Sequence, residues 1–242
     1  MRVLKRVVAA FFIVLLCLLS GCYSKRTAPV ESLEEAYQPL IEKYREYIEY
    51  ALGYGDEIAV KSRPFEYPED DVDIYWYNNW VVSFLYHEDY SEKRNSFGYA
   101  IKDLNGNGSP ELILLLKNGD VLAVFSLVNN KPNGLGVFWS RHRCEINDSG
   151  LLYTHTSSGA GHWDDRIQEI SQDGSKLLLV GQYGIDGRAT GDGYYKIIDE
   201  EKYLISESEL IEAIEKIDDM FPAGGYEGKT EIMGLEYIPL FD

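Results

Sequence analysis

Basic residues are scarce in this chain: 23 lysines and arginines stand against 40 aspartates and glutamates, for a formal charge of −17. A surface so acidic repels nucleic acid and anionic lipid headgroups, and it favours cations or basic partners. Histidine and cysteine are also sparse. His87, His142, His155 and His162 contain no i, i+4 pair with an accompanying glutamate, and Cys17, Cys22 and Cys144 form no CxxC. The ligand spacings of a zinc site are therefore missing. So is the G-x-S-x-G elbow of one large hydrolase fold. The glycine-rich stretch Gly181–Gly193 has no lysine after its glycines and no strand-to-helix context. It reads as a surface loop, not as a phosphate cradle. The βαβ alternation of a two-lobed solute receptor is absent. The N-terminal apolar run, Val7–Leu19, is thirteen residues, too short to cross a bilayer as a mature helix.

That run has a second use. Arg2, Lys5 and Arg6 precede it, and Leu19-Ser20-Gly21-Cys22 follows it, a tetrapeptide that resembles the lipobox of bacterial lipoproteins. The resemblance implies cleavage before Cys22, diacylglyceryl transfer to its thiol, and anchorage on the extracytoplasmic face of the cell membrane. Residues 1–21 are then the signal peptide, 22–31 a lipid-anchored tether, and 32–242 a single domain. By the random-coil relation the tether reaches roughly 15–20 Å, which keeps the domain close to the membrane. Removal of the signal takes the formal charge from −17 to −20 and leaves Cys144 without an intramolecular disulfide partner. Within Arg141-His142-Arg143-Cys144 the thiol is either a nucleophile beside positive charge or a small buried hydrophobe, and the second reading is preferred.

The centre of the chain is Phe97–Leu116, FGYAIKDLNGNGSPELILLL, which reads as strand, loop, strand. Asp103, Asn105 and Asn107 occupy positions 1, 3 and 5 of the loop, Gly108 position 6, Ser109 position 7 and Glu111 position 9. Oxygen-bearing side chains on alternate residues converge on one point, and glycine permits the turn around it. This is the donor pattern of a hard cation, with the Ser109 carbonyl as a further ligand. An EF-hand is excluded, because position 12 is Leu114. The loop resembles the D-x-[DN]-x-[DN]-G-x-x-[DE] loops of FG-GAP and integrin-type propeller blades. It is most similar to a loose group of bacterial envelope lipoproteins that carry a single DxNGNGxxEL hairpin. The resemblance covers about 20 residues and occurs once, whereas a propeller needs several blades. It implies Ca2+ held by Asp103, Asn105, Asn107, Ser109 and Glu111, with a Kd of the order of 10⁻⁴ to 10⁻³ M for so few carboxylates. The alternative is a metal-free hairpin turned by Asn-Gly pairs.

Elsewhere the pattern predicts α+β architecture: N-terminal helices, an antiparallel meander and a C-terminal helix. Ser32 and Glu35 form a capping box before Leu33, Tyr37, Leu40, Ile41, Tyr44 and Ile48 at helical steps. A second helix is expected over Asp70–Tyr86, where Trp76 and Trp80 share a face as core or as a sugar-stacking platform. Asn118-Gly119, Asn133-Gly134, Asp148-Ser149-Gly150 and Asp173-Gly174 punctuate the strands of the meander. Ser206 and Glu209 open the last helix, and Glu231–Tyr237 reads as a final strand. Two functions are open. One is a non-enzymatic surface lipoprotein that binds a glycan, peptide or envelope protein. The other is an envelope hydrolase of glycan or peptide, with its site in His155–Asp165, a segment of imidazoles, hydroxyls and carboxylates around glycines. The first is preferred.

Overall fold

A computed structural model describes residues 30–54, 94–139, 141–159, 161–187, 193–221 and 234–241. The signal segment, Cys22 and the expected Asp70–Tyr86 helix with Trp76 and Trp80 lie outside the described residues, as do 231–233 of the expected strand Glu231–Tyr237. Residues 234–237 are not strand, and the chain pairs only at Ile238–Pro239.

The architecture is mostly β, which corrects the α+β expectation. Two antiparallel sheets of five and six strands dominate, with two α-helices among the described residues. The expectation placed N-terminal helices and a C-terminal helix around one meander, but the bulk of the core lies on the two faces of the first sheet. That sheet contains β1 (Phe97–Lys102), β2 (Glu111–Leu116), β3 (Val121–Val128), β4 (Lys131–Val137) and the short β11 (Ile238–Pro239), in the order β11-β1-β2-β3-β4. The second contains β5 (His142–Ile146), β6 (Leu152–Gly159), β7 (His162–Ile170), β8 (Leu177–Asp186), β9 (Tyr194–Ile198) and β10 (Glu201–Leu204), in the reverse of chain order.

After Glu111, the LILLL of β2 is unbroken by polar residues because both of its faces are covered. Leu112, Leu114 and Leu116 meet helix α1 (Val30–Tyr54), whose Tyr37, Leu40, Ile41, Tyr44 and Ile48 recur at three- and four-residue steps. Ile113 and Leu115 face the other way, onto Cys144, Ile146, Leu152 and Ile170 of the second sheet. Tyr37 pins the helix: its hydroxyl donates to the Pro110 carbonyl at 3.0 Å, with that of Phe125 at 3.3 Å. Helix α2 (Glu207–Met220) begins with the Ser206/Glu209 capping box and lays Ile217, with Phe221 beyond it, on Ile167, Tyr153 and Tyr183. It therefore covers one end of the outer face of the second sheet.

Candidate functional site

The loop between β1 and β2 turns its side-chain oxygens inward. Asp103 accepts the Asn107 N–H on Oδ1 at 3.2 Å and the Gly108 N–H on Oδ2 at 2.8 Å. Asn105 Oδ1 accepts the Asn107 N–H at 3.0 Å, and Asn107 Oδ1 accepts the Ser109 N–H at 2.6 Å. Gly106 and Gly108, at φ +70° and +81°, make the reversal. The orientation of both amides follows from the opposite side of the loop. Asn105 Nδ2 donates to the Ser171 carbonyl at 2.9 Å and Asn107 Nδ2 to the Gln172 carbonyl at 3.0 Å. A carbonyl can only accept, so each Oδ1 must face the loop. Glu111 closes the site. It is 1 % exposed and accepts the Leu104 N–H on Oε2 at 2.8 Å. Burial pushes its carboxyl up to about 7, against the pull of that N–H, and Asp103 adds to the push. The donor set is all oxygen with two carboxylates, which fits a hard cation held weakly. No group of three or more His, Cys, Asp or Glu gathers for a metal among the described residues.

The same loop is the joint between the sheets. Gln172 Nε2 returns a hydrogen bond to the Asn105 carbonyl at 2.8 Å. A Cβ at Gly150, in the β5–β6 turn, would stand 1.9 Å from the Leu104 carbonyl oxygen, so that turn touches the loop backbone. The β7–β8 turn also reaches the first sheet through Ser126, whose hydroxyl donates to the Gly174 carbonyl, and through Asn133, which bonds the Ser175 carbonyl at 3.3 Å. Asp173 shapes that turn by accepting the Ser171 and Ser175 hydroxyls at 2.7 and 2.8 Å.

His155–Asp165 is a hairpin in which strand reaches almost to the tip. His155 and Asp165 are cross-strand partners with Nδ1 and Oδ1 2.7 Å apart, and the Tyr153 hydroxyl donates to the same oxygen at 2.7 Å. Asp165 is buried, and it raises the Tyr153 hydroxyl after burial has already done so. His162 lies apart, with Nδ1 3.4 Å from Asp186. The neighbouring Asp164 and Asp165 belong to opposite faces of β7, so they cannot flank one glycosidic bond. Cys144 is buried with its thiol pushed up, the state of an inert cysteine. Residues 181–186 of the glycine-rich stretch are part of β8.

Asp164 organises a second group on the inward face, and sequence reasoning missed it. Arg166 Nε lies 2.7 Å from Asp164 Oδ1, and Gln182 Nε2 donates to the same oxygen at 3.1 Å. Tyr195 joins through Gln182 and lies over Gly184, where a Cβ would come within 2.7 Å of its hydroxyl. Lys202 Nζ stands 4.1 Å from the centre of the Tyr195 ring and 3.3 Å from Asp186. At the other end His142 Nδ1 is 2.6 Å from the Thr156 hydroxyl, with the Trp139 ring centred 4.8 Å away. Burial pushes Asp164 up against the pull of Arg166, and burial followed by Arg166 brings His142 down to about 4.

No family model, curated protein or solved structure matches this chain.

The signal for the Asp164 group was nonetheless present. Thr154/Thr156, Asp164/Arg166 and Gln182/Gly184 place polar or small residues at alternate positions of three successive strands, in register. An inward face would otherwise be apolar there.

Proposed function

We propose that the chain is a lipoprotein anchored through Cys22 on the extracytoplasmic face of the membrane, and that it is a non-enzymatic binding domain whose two sheets are held together by a weak Ca2+ loop. The anchor rests on the lipobox and its preceding basic and apolar segments. The loop assignment rests on one observation. Asn105 and Asn107 each turn an oxygen into the loop and an amide nitrogen out to the second sheet. An ion that fixes those oxygens fixes the outward hydrogen bonds as well. Asp103 and Glu111 supply the charge, with Asn105, Asn107 and the Ser109 carbonyl as neutral donors.

A binding role is preferred to hydrolysis because the acid–base candidates are committed to neighbours in their own sheet. Asp165 already takes two hydrogen bonds, and Asp164 is turned to the opposite face. The test is thermal melting of the detergent-purified whole chain against Ca2+ up to several millimolar. A saturable rise in Tm, reversed by EDTA and lost in Asp103→Ala, is the expected result; a flat response sinks the cation assignment.

A further inference from the structure

The Asp164 group has the makings of a binding face, and its chemistry narrows the ligand. Its charges cancel locally: Asp164 is paired with Arg166, and Asp186 with Lys202. In a chain with a formal charge of −17 such a strip recruits neither cations nor anions strongly. What it offers is a row of planar or hydroxyl groups that both donate and accept. Asp164, Arg166 and Gln182 occupy adjacent strands, with the Thr156 and Tyr195 hydroxyls beside them.

Aromatic rings close the row at both ends. Tyr195 lies over Gly184 on β9, and Trp139 packs on His142 at β5. Four inter-strand steps separate β5 from β9, about 19 Å at the usual strand spacing. The groups are reachable, with side-chain exposures of 14 % for Asp164, 39 % for Arg166 and 46 % for Lys202. An independent observation points the same way. The Thr154 hydroxyl, beside Arg166 in the same register, is fully buried with no hydrogen-bond partner. Native structures seldom leave such a group unmatched unless a water or ligand completes it.

From this we infer that the inward face of β5–β9 binds a neutral oligosaccharide. Sugar hydroxyls supply both the donors and the acceptors the row needs, and the C–H faces of sugar rings stack on aromatic side chains. The inference rests on the binding-domain reading and gives it a ligand class.

The test is titration of the detergent-purified whole chain with neutral tetrasaccharides (cello-, malto- and chito-), and with a sulfated tetrasaccharide as the anionic comparison. Saturable binding of at least one neutral sugar, in preference to the sulfated one, is expected. Tyr195→Ala should weaken it about tenfold, the scale of one lost aromatic contact. Tyr203→Ala, on the other face of the sheet, should leave it unchanged. Thermal melts verify that both variants fold. Binding that survives Tyr195→Ala together with Trp139→Ala, or no neutral-sugar binding at all, overturns the face. Cleavage of the bound sugar, seen as shorter products by mass spectrometry, would instead overturn the non-enzymatic reading while sparing the face.

Discussion

His142 lies between Thr156 and Trp139, and burial with Arg166 nearby brings its pKa from 6.5 down to about 4. The unfolded chain therefore takes up this proton first as the pH falls. Its contribution to stability is present above pH 6.5 and is lost towards pH 4, at most about 3 kcal/mol. In urea denaturation, His142→Gln should lose less stability than the parent between pH 7 and pH 4.5; equal losses would clear His142 of the effect. Two glycines give a second comparison at this scale. Both have positive φ, but a Cβ at Gly106 meets nothing within 4 Å, whereas one at Gly150 would strike the Leu104 carbonyl. Gly106→Ala should cost about 1–2 kcal/mol from backbone strain alone, and Gly150→Ala about 3 kcal/mol or more once the clash is added. Similar midpoint shifts would mean that the loop and the β5–β6 turn are not in contact.

Among the elements, the β7–β8 turn carries most of the polar traffic between the sheets. Asp173 is not a candidate ligand, yet its carboxylate is held low, to about 2, by the Ser171 hydroxyl first and then by Ser175. Asp173→Ala should loosen the turn that receives the Asn105 and Asn107 amides and so shrink the rise in Tm that the proposed Ca2+ site would give, with Asp103 and Glu111 intact. An unchanged rise would show that the turn and the cation loop are uncoupled. Local sequence made the elements legible. Asn118-Gly119 and Asp173-Gly174 fall in turns between strands, Ser206 and Glu209 open α2, and the apolar steps from Tyr37 to Ile48 give the buried stripe of α1. Asn133-Gly134 instead lies within β4, and the turn before it is made by Asn129 and Asn130 at positive φ. The ends were less legible. Helix α1 already runs at Val30, ahead of the Ser32 cap, and in His155–Asp165 the strands run to Gly159 and resume at His162. Cross-strand hydrogen bonds override local glycine preference there.

For the whole molecule, the proposed anchor gives the first test. If Cys22 is lipidated, the whole chain should enter the detergent phase on Triton X-114 partitioning, and Cys22→Ala should stay in the aqueous phase with an unchanged melt. Detergent partitioning of the variant would place the membrane attachment elsewhere. The sequence by itself determined what depends on neighbours along the chain: the turns at Asn118-Gly119, Asp148–Gly150 and Asp173-Gly174, the helix stripes, the oxygen pattern of Asp103, Asn105 and Asn107, and the expectation of an anchor. Tertiary structure alone decided which surfaces meet. Asn105 reaches the turn at Ser171 across 66 positions, a pairing that no local periodicity encodes. The same holds for layers: Leu112 to Leu116 of β2 are apolar on both sides because a helix covers one face and a second sheet the other. The face that Asp164, Gln182 and Tyr195 share exists only once β7, β8 and β9 are in register, because strand pairing sets which alternate residues stand side by side.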